Sequence, residues 1–355
     1  VGPDGAVLAR GPLFEAGVTV AQLESAALDR ARVASPLLAD LEQTLPHLQT
    51  ALTDAQGAAQ APAQTPAPGP AQAPASAGAG SAEPEPALER GGLTAHTPVH
   101  PEDDTLLDLD LPLVESALLE FIREEVVRQR GFERVVIGVS GGVDSSVSLL
   151  LAVRALGPEN VTGFRLPYAT SSQESLDHAA LVLEASGAEG RTIEITGAVD
   201  AYVQKHEPDL SPLRRGNLAA RLRSVILFDQ SAKLGALPLG TGNKSERLLG
   251  YYTWHADDSP PINPLGDLFK TQVWALARHL GIPEVIIDKP ATADLVKGVT
   301  DEDEIGVSYN TADPILYGLV SGYGVEDLVR GGLKQDEVDL VWKRLQATHW
   351  KRELP

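Results

Sequence analysis

The chain has 355 residues, 29 Lys and Arg against 49 Asp and Glu, a formal net charge of -20, and no cysteine. This acidic balance argues against a protein that grips nucleic-acid phosphates over a broad basic face. The absent thiols exclude a disulfide framework, a Cys-based zinc site and a cysteine nucleophile within these residues, and no run of about 18 apolar residues points to a membrane-spanning helix.

Residues 1–51 carry a turn at Pro3-Asp4-Gly5, an apolar strand at Ala6–Ala9 and a helix predicted from Ser35 to Leu45, where Pro46 ends it. So thin an apolar pattern makes either an arm or the end of a domain whose body lies upstream of Val1. Residues 52–104 read as a disordered linker. Between positions 55 and 87, 13 Ala, 7 Pro and 4 Gly leave no aromatic, Val, Ile or Leu residue, and such a segment cannot bury enough apolar surface to offset the entropy of ordering it.

From residue 105 the pattern alternates between helix and strand. A helix is predicted over 113–130, with Val114, Leu118, Phe121, Ile122 and Val126 at helical spacing and Gly131 as its end. A strand at 134–139, a Gly/Ser loop and a helix over 146–156 follow. Then come a strand at 161–166, a helix at 174–186, a strand at 191–195, a long helix at 217–234 and a strand at 236–240. Apolar strands alternating with helices imply a doubly wound α/β domain over 105–355, a parallel sheet with helices on both faces.

The most informative stretch is Gly138-Val139-Ser140-Gly141-Gly142-Val143-Asp144-Ser145-Ser146, between a buried strand and a helix. Paired glycines let the backbone approach a ligand, and a helix start offers free amides and a positive dipole end. That combination suits phosphate or pyrophosphate, with the hydroxyls of Ser140, Ser145 and Ser146 as further donors. Asp144 would repel phosphate unless a Mg2+ ion bridged them; the plainer alternative is a turn in which Asp144 or Ser145 only caps the helix. The spacing fits neither the P-loop kinase motif nor the dinucleotide fingerprint. It resembles the pyrophosphate loop of the N-type ATP pyrophosphatases, which share an adenine nucleotide alpha hydrolase-like, Rossmann-like fold.

Within that superfamily the chain resembles the NAD(+) synthetase family over nearly all of 113–353. The segments that carry the resemblance are Arg165-Leu166-Pro167, Asn217-Leu218-Ala219-Ala220-Arg221-Leu222-Arg223, Gly240-Thr241-Gly242-Asn243-Lys244-Ser245-Glu246, Gly250-Tyr251-Tyr252-Thr253, Phe269-Lys270-Thr271-Gln272, Lys289-Pro290-Ala291-Thr292 and Thr300-Asp301-Glu302-Asp303-Glu304-Ile305-Gly306. The resemblance implies that ATP adenylates the nicotinate carboxylate of deamido-NAD and that ammonia then displaces AMP. It assigns Asp144 and Glu246 to Mg2+, and Lys270 to the phosphate on which charge develops. Arg165, Arg221, Thr241 and Thr292 fall to the nucleotide, and Tyr251, Asp257 and Lys289 to the substrate. The plainer readings are a solvated first-turn acid for Glu246, a surface lysine for Lys270 and a structural partner for Arg223. Pro261 stands where relatives carry a second acid, so pyridine recognition is expected to differ here.

The same resemblance implies a homodimer, and the ATP chemistry makes a cytoplasmic location the default; residues 289–306, rich in acids and ending in Gly306, are a candidate lid or a plain surface loop. The resemblance also likens residues 1–10 and Phe14-Glu15 to the last strands of a nitrilase-like glutaminase domain, through which glutamine would supply the ammonia. The alternatives are another pyrophosphate-loop amidating ligase, or a non-catalytic nucleotide-binding regulator on the same fold.

Overall fold

The computed structural model describes residues 105–292 and 300–352. The turn, strand and helix predicted within 1–51, and the linker, lie outside them.

The first helix, α1 (Leu111–Ile122), begins two residues earlier than its apolar pattern because Asp110 caps it, accepting from Leu113 N at 3.2 Å. Its last turns, Arg123–Gln129, widen to π geometry. Strand β1 (Val135–Gly138) leads through the glycine loop into α2 (Val143–Leu156). Then follow β2 (Val161–Arg165), α3 (Gln173–Ser186), β3 (Glu189–Thr192), α4 (Thr196–His206), α5 (Pro212–Leu234) and β4 (Leu237–Leu239). Strand β3 sits earlier than the predicted 191–195. Ile195 is fully buried, but it lies past the strand, so its apolar signal marks core contact rather than strand membership. Helix α5 starts five residues before the predicted 217 because Ser211 caps it ahead of Pro212.

The four strands are parallel in the order β3-β2-β1-β4. Alternation along β1 feeds two cores. Val135 and Ile137 pack with Ile122 of α1, Val147 and Leu149 of α2 and Val182 of α3. Val136 faces the other way, with Phe164, Val199 and Val203 of α4, and Ala219 of α5. Helices therefore cover both faces, as the sequence implies.

After β4 come α6 (Lys244–Leu249), α7 (Lys270–Leu280) and α8 (Glu284–Ile287), then α9 (Asp301–Ile305), α10 (Tyr309–Val320), α11 (Val325–Arg330) and α12 (Gln335–Ala347), with a final 3-10 turn at His349–Lys351. The segment before α7 returns to the sheet: Ile262 bridges to Leu239 in parallel, and Gly240 N donates to Ile262 O at 2.7 Å. The chain end grips the loop after α6. Lys351 Nζ donates to Gly250 O and Tyr252 O, both at 2.7 Å, and Arg352 Nη1 donates to Leu248 O at 2.9 Å.

Candidate active site

The register brings the carboxyl ends of β1, β2 and β4 to one edge, where loops leave for α2, α3 and α6. Ligands of open parallel sheets bind along this edge. Helix α2 differs there from its neighbours. Ser172 caps α3, Ser211 caps α5 and Asn243 caps α6, but α2 begins on Gly142 with no side-chain cap. Asp144 and Ser145 lie inside its first turn, so neither is a cap, and the positive end of the helix faces the loop. Ser145 Oγ and Ser146 Oγ donate to Gly142 O at 3.1 and 2.8 Å, and Ser140 Oγ accepts from Gly142 N at 3.3 Å. In this arrangement the serines brace the loop. Gly141 has φ 83°, and a Cβ on it would stand 2.1 Å from Ser175 O, so α3 presses directly on the loop.

Asp144 meets two residues far away in sequence. Lys270, the first residue of α7, donates through Nζ to Asp144 Oδ2 and reaches Glu246 Oε1 of α6 at 3.4 Å. The lysine is 2 % exposed, which sets aside the surface-lysine alternative. Burial alone would push its ammonium down, yet the Asp144 and Glu246 carboxylates hold it above its ordinary value. Burial, reinforced by the Asp144 charge, pushes the Glu246 carboxyl up to about 8. Glu246 is thus no freely solvated acid.

Three residues that the motif reading did not single out complete this cluster. Asn243 Nδ2 donates to Asp144 Oδ1 at 2.9 Å while its Oδ1 accepts from Glu246 N at 2.9 Å, so one side chain sets both acids. Tyr309 places its ring under Lys270 Nζ, 5.4 Å to the centroid. Its buried hydroxyl has no hydrogen-bond partner among the described residues. Asp301 accepts from Tyr251 OH at 3.1 Å. Asn243 and Asp301 stood inside quoted motifs; Tyr309 gave no signal beyond being an aromatic in a helical stretch.

The carboxylates of Asp144 and Glu246 both reach Lys270 Nζ, and carboxylate oxygens are the donor type that Mg2+ takes beside water and phosphate. Among the described residues there is no group of three or more His, Asp or Glu side chains able to hold a metal by themselves.

The other predicted positions spread around this centre. Arg165 ends β2 with its Nε buried and unpartnered among the described residues. Arg221 Nε donates to Trp254 O at 3.2 Å, and Arg223 Nε to Leu166 O at 2.9 Å, the structural contact open to it from sequence. Gly138 closes β1, and Thr241 lies just beyond β4. Lys289 Nζ donates to Ser175 Oγ at 2.7 Å, on the helix that presses the glycine loop. Thr292 is the last residue described before 300, so the middle of the candidate lid lies outside the described residues.

The aromatic run divides. Tyr251 OH also donates to Glu304 Oε2 at 2.5 Å and so faces α9. Tyr252 bonds Lys351 O, and Trp254 packs edge-on against Trp350 at 5.4 Å, which engages both with the chain end. Asp257 is exposed and accepts from Thr253 N at 2.7 Å. Pro261 is also exposed, beside the Ile262 bridge.

A profile of the NAD synthase family matches residues 114–355. The NH(3)-dependent NAD(+) synthetase of Chlorobaculum tepidum is 52% identical over 254 residues, 70% of this chain and 90% of that protein. Among solved structures, the NH3-dependent NAD synthetase of Campylobacter jejuni, bound to nitrate, is 32% identical with TM-score 0.60, covering 70% of this chain and 98% of that one. The NMN synthetase of Francisella tularensis is 29% identical with TM-score 0.63 at the same coverage.

Alanine at position 141 would hold a left-handed backbone at about 1–2 kcal/mol and collide with Ser175 O. Gly141→Ala should therefore weaken ATP binding roughly 10-fold or more by isothermal titration, with unchanged far-ultraviolet circular dichroism. Wild-type affinity would show that the loop does not carry the phosphates.

Proposed function

The chain belongs to the NAD synthase family, ligases that form a C–N bond, and from that membership we infer that it amidates deamido-NAD with ammonia at the expense of ATP. The observation that carries the site assignment is the burial of Lys270 between Asp144 and Glu246, beside the uncapped start of α2.

ATP lies with its phosphates on the glycine loop and the α2 amides. The nicotinate carboxylate attacks the α-phosphorus, the α–β bridging P–O bond breaks, and pyrophosphate leaves with the bond's electrons. Lys270 sits where negative charge accumulates in that step and stabilises it. Ammonia then attacks the acyl carbon of the mixed anhydride, gives up a proton and expels AMP, leaving the amide of NAD. Position and charge stabilisation suffice, with no covalent enzyme intermediate. Asp144 and Glu246 are the residues that would hold Mg2+, which supplies charge neutralisation on the triphosphate when bound.

Ammonia is the donor we assign, because these 355 residues contain no cysteine for glutaminase chemistry. Glutamine would enter only through a further domain. A cytoplasmic location follows from the dependence on ATP; among the described residues no helix is long and apolar enough to cross a membrane. We also assign a homodimer. Helix α5 exposes Val225 and Phe228, one turn apart, at 63% and 41%, a pair that a second copy would cover.

Three outcomes test these assignments. Asp144→Asn should lower deamido-NAD-dependent ATP–pyrophosphate exchange by about 10²-fold or more; near wild-type exchange would remove Asp144 from the mechanism. With ATP, Mg2+ and deamido-NAD, ammonium should support NAD synthesis and glutamine almost none. Equal rates from ammonia-free glutamine would overturn the donor assignment, and a preference for nicotinate mononucleotide, the control suggested by the Francisella neighbour, would overturn the acceptor. Sedimentation should give twice the chain mass, and Val225→Asp with Phe228→Asp should give the single mass; a monomeric wild type refutes the dimer.

A further inference from the structure

Asp313, in α10, is fully buried and belongs to none of the motifs above. Its carboxylate accepts three hydrogen bonds: from Ser245 Oγ at 2.5 Å, Thr271 N at 2.9 Å and Thr271 Oγ1 at 2.8 Å. Ser245 Oγ in turn accepts from Lys270 N at 2.9 Å. Ser245 adjoins Glu246 at the start of α6, and Lys270 and Thr271 open α7. One carboxylate from a third helix therefore ties together the two helix starts that carry the buried lysine and its second acid.

The amides of Lys270 and Thr271 are among the donors that a helix start leaves without intrahelical partners. Phe269, at the N-cap position of α7, offers no side-chain acceptor. Asp313 meets one amide directly and the other through Ser245, a cap delivered from elsewhere in the fold. A buried carboxylate is costly, and apolar packing could fill the same volume, so what the charge supplies is geometry. Tyr309 stands four residues before Asp313 on α10, hence on the same face. Its ring lies under the Lys270 ammonium, 5.4 Å away. Helix α10 holds Lys270 at both ends, at its backbone through Asp313 and Ser245 and at its ammonium through Tyr309.

We propose that Asp313 is a positioning residue for adenylation: it fixes the origin of the Lys270 side chain relative to Glu246, so that the ammonium stands opposite Asp144. This rests on the function assigned above. A misplacement of about 1 Å at a reacting centre costs on the order of 10²-fold, which sets the expected effect.

Asp313→Asn keeps the volume but turns an NH2 toward a hydroxyl that now donates. The variant should fold, with kcat for deamido-NAD-dependent exchange lowered about 30- to 100-fold and KM for ATP changed less than about 3-fold. In a Lys270→Ala background the same substitution should cost less than about 3-fold, because its target is gone. Ser245→Ala, which removes only the middle link, should act in the same direction by about 10-fold. A readout independent of catalysis is the rate at which acetic anhydride labels Lys270, followed by peptide mass spectrometry. Asp313→Asn should raise it about 10-fold relative to the exposed Lys334, because the ammonium is released from its pair. Wild-type kcat in folded Asp313→Asn, equal losses in both backgrounds, or unchanged labelling would overturn the proposal. Should the wild type fail to use deamido-NAD, the functional reading falls, and the labelling still decides the role of Asp313.

Discussion

A buried ammonium has to be paired, and most of the site follows from that requirement. Lys270 is removed from water almost completely, and an unpaired charge there would cost several kcal/mol or lose its proton. Asp144 and Glu246 supply the pairing from 126 and 24 residues away in sequence. The two acids have different environments: Asp144 is bonded by both Lys270 and Asn243, whereas burial and the Asp144 charge drive Glu246 toward its protonated form. One ammonium thus stands between two carboxyl groups held in unlike surroundings.

That balance can be built only where separate loops meet. The parallel order β3-β2-β1-β4 sends the loops after β1 and β4, adjacent strands in the sheet, out of the same edge. Asp144 arrives with the first and Glu246 with the second. Lys270 comes from outside the strands, on a segment that the Ile262 bridge returns to β4. The start of α2 completes the arrangement: no side chain caps it, whereas Ser172 caps α3 and Asn243 caps α6.

Around this centre, the aromatic run after α6 is held differently. Tyr251 reaches toward the acids of α9, while Tyr252 and Trp254 are bound to the last turn of the chain. The loop between α6 and α7 is therefore fixed by the C-terminus as much as by the sheet. Pro261 lies exposed on this loop, next to the strand-like bridge.

The alternation of apolar strands and helices, and the Ser-Gly-Gly-Val-Asp-Ser-Ser run between one strand and one helix, were enough for the sequence alone to determine the α/β class and to mark the glycine turn that joins β1 to α2, because periodicity and glycine placement are local properties. Spaced motifs also named Asp144, Glu246 and Lys270. What periodicity could not resolve was where local signals end: Ile195 reads as strand but is only core, and α2 begins at Val143 because Gly142 closes the turn. Tertiary structure alone decided that Lys270 is buried rather than exposed, that Ser145 and Ser146 brace the loop, that Asn243 sets both acids, and that the aromatic run splits between α9 and the chain end. Asp313 shows the reason most clearly. An aspartate in a helical stretch before Pro314 carries no sequence pattern, and its meaning lies in donors 42 and 68 residues away, which only the packing of α10 against α6 and α7 brings within hydrogen-bonding distance.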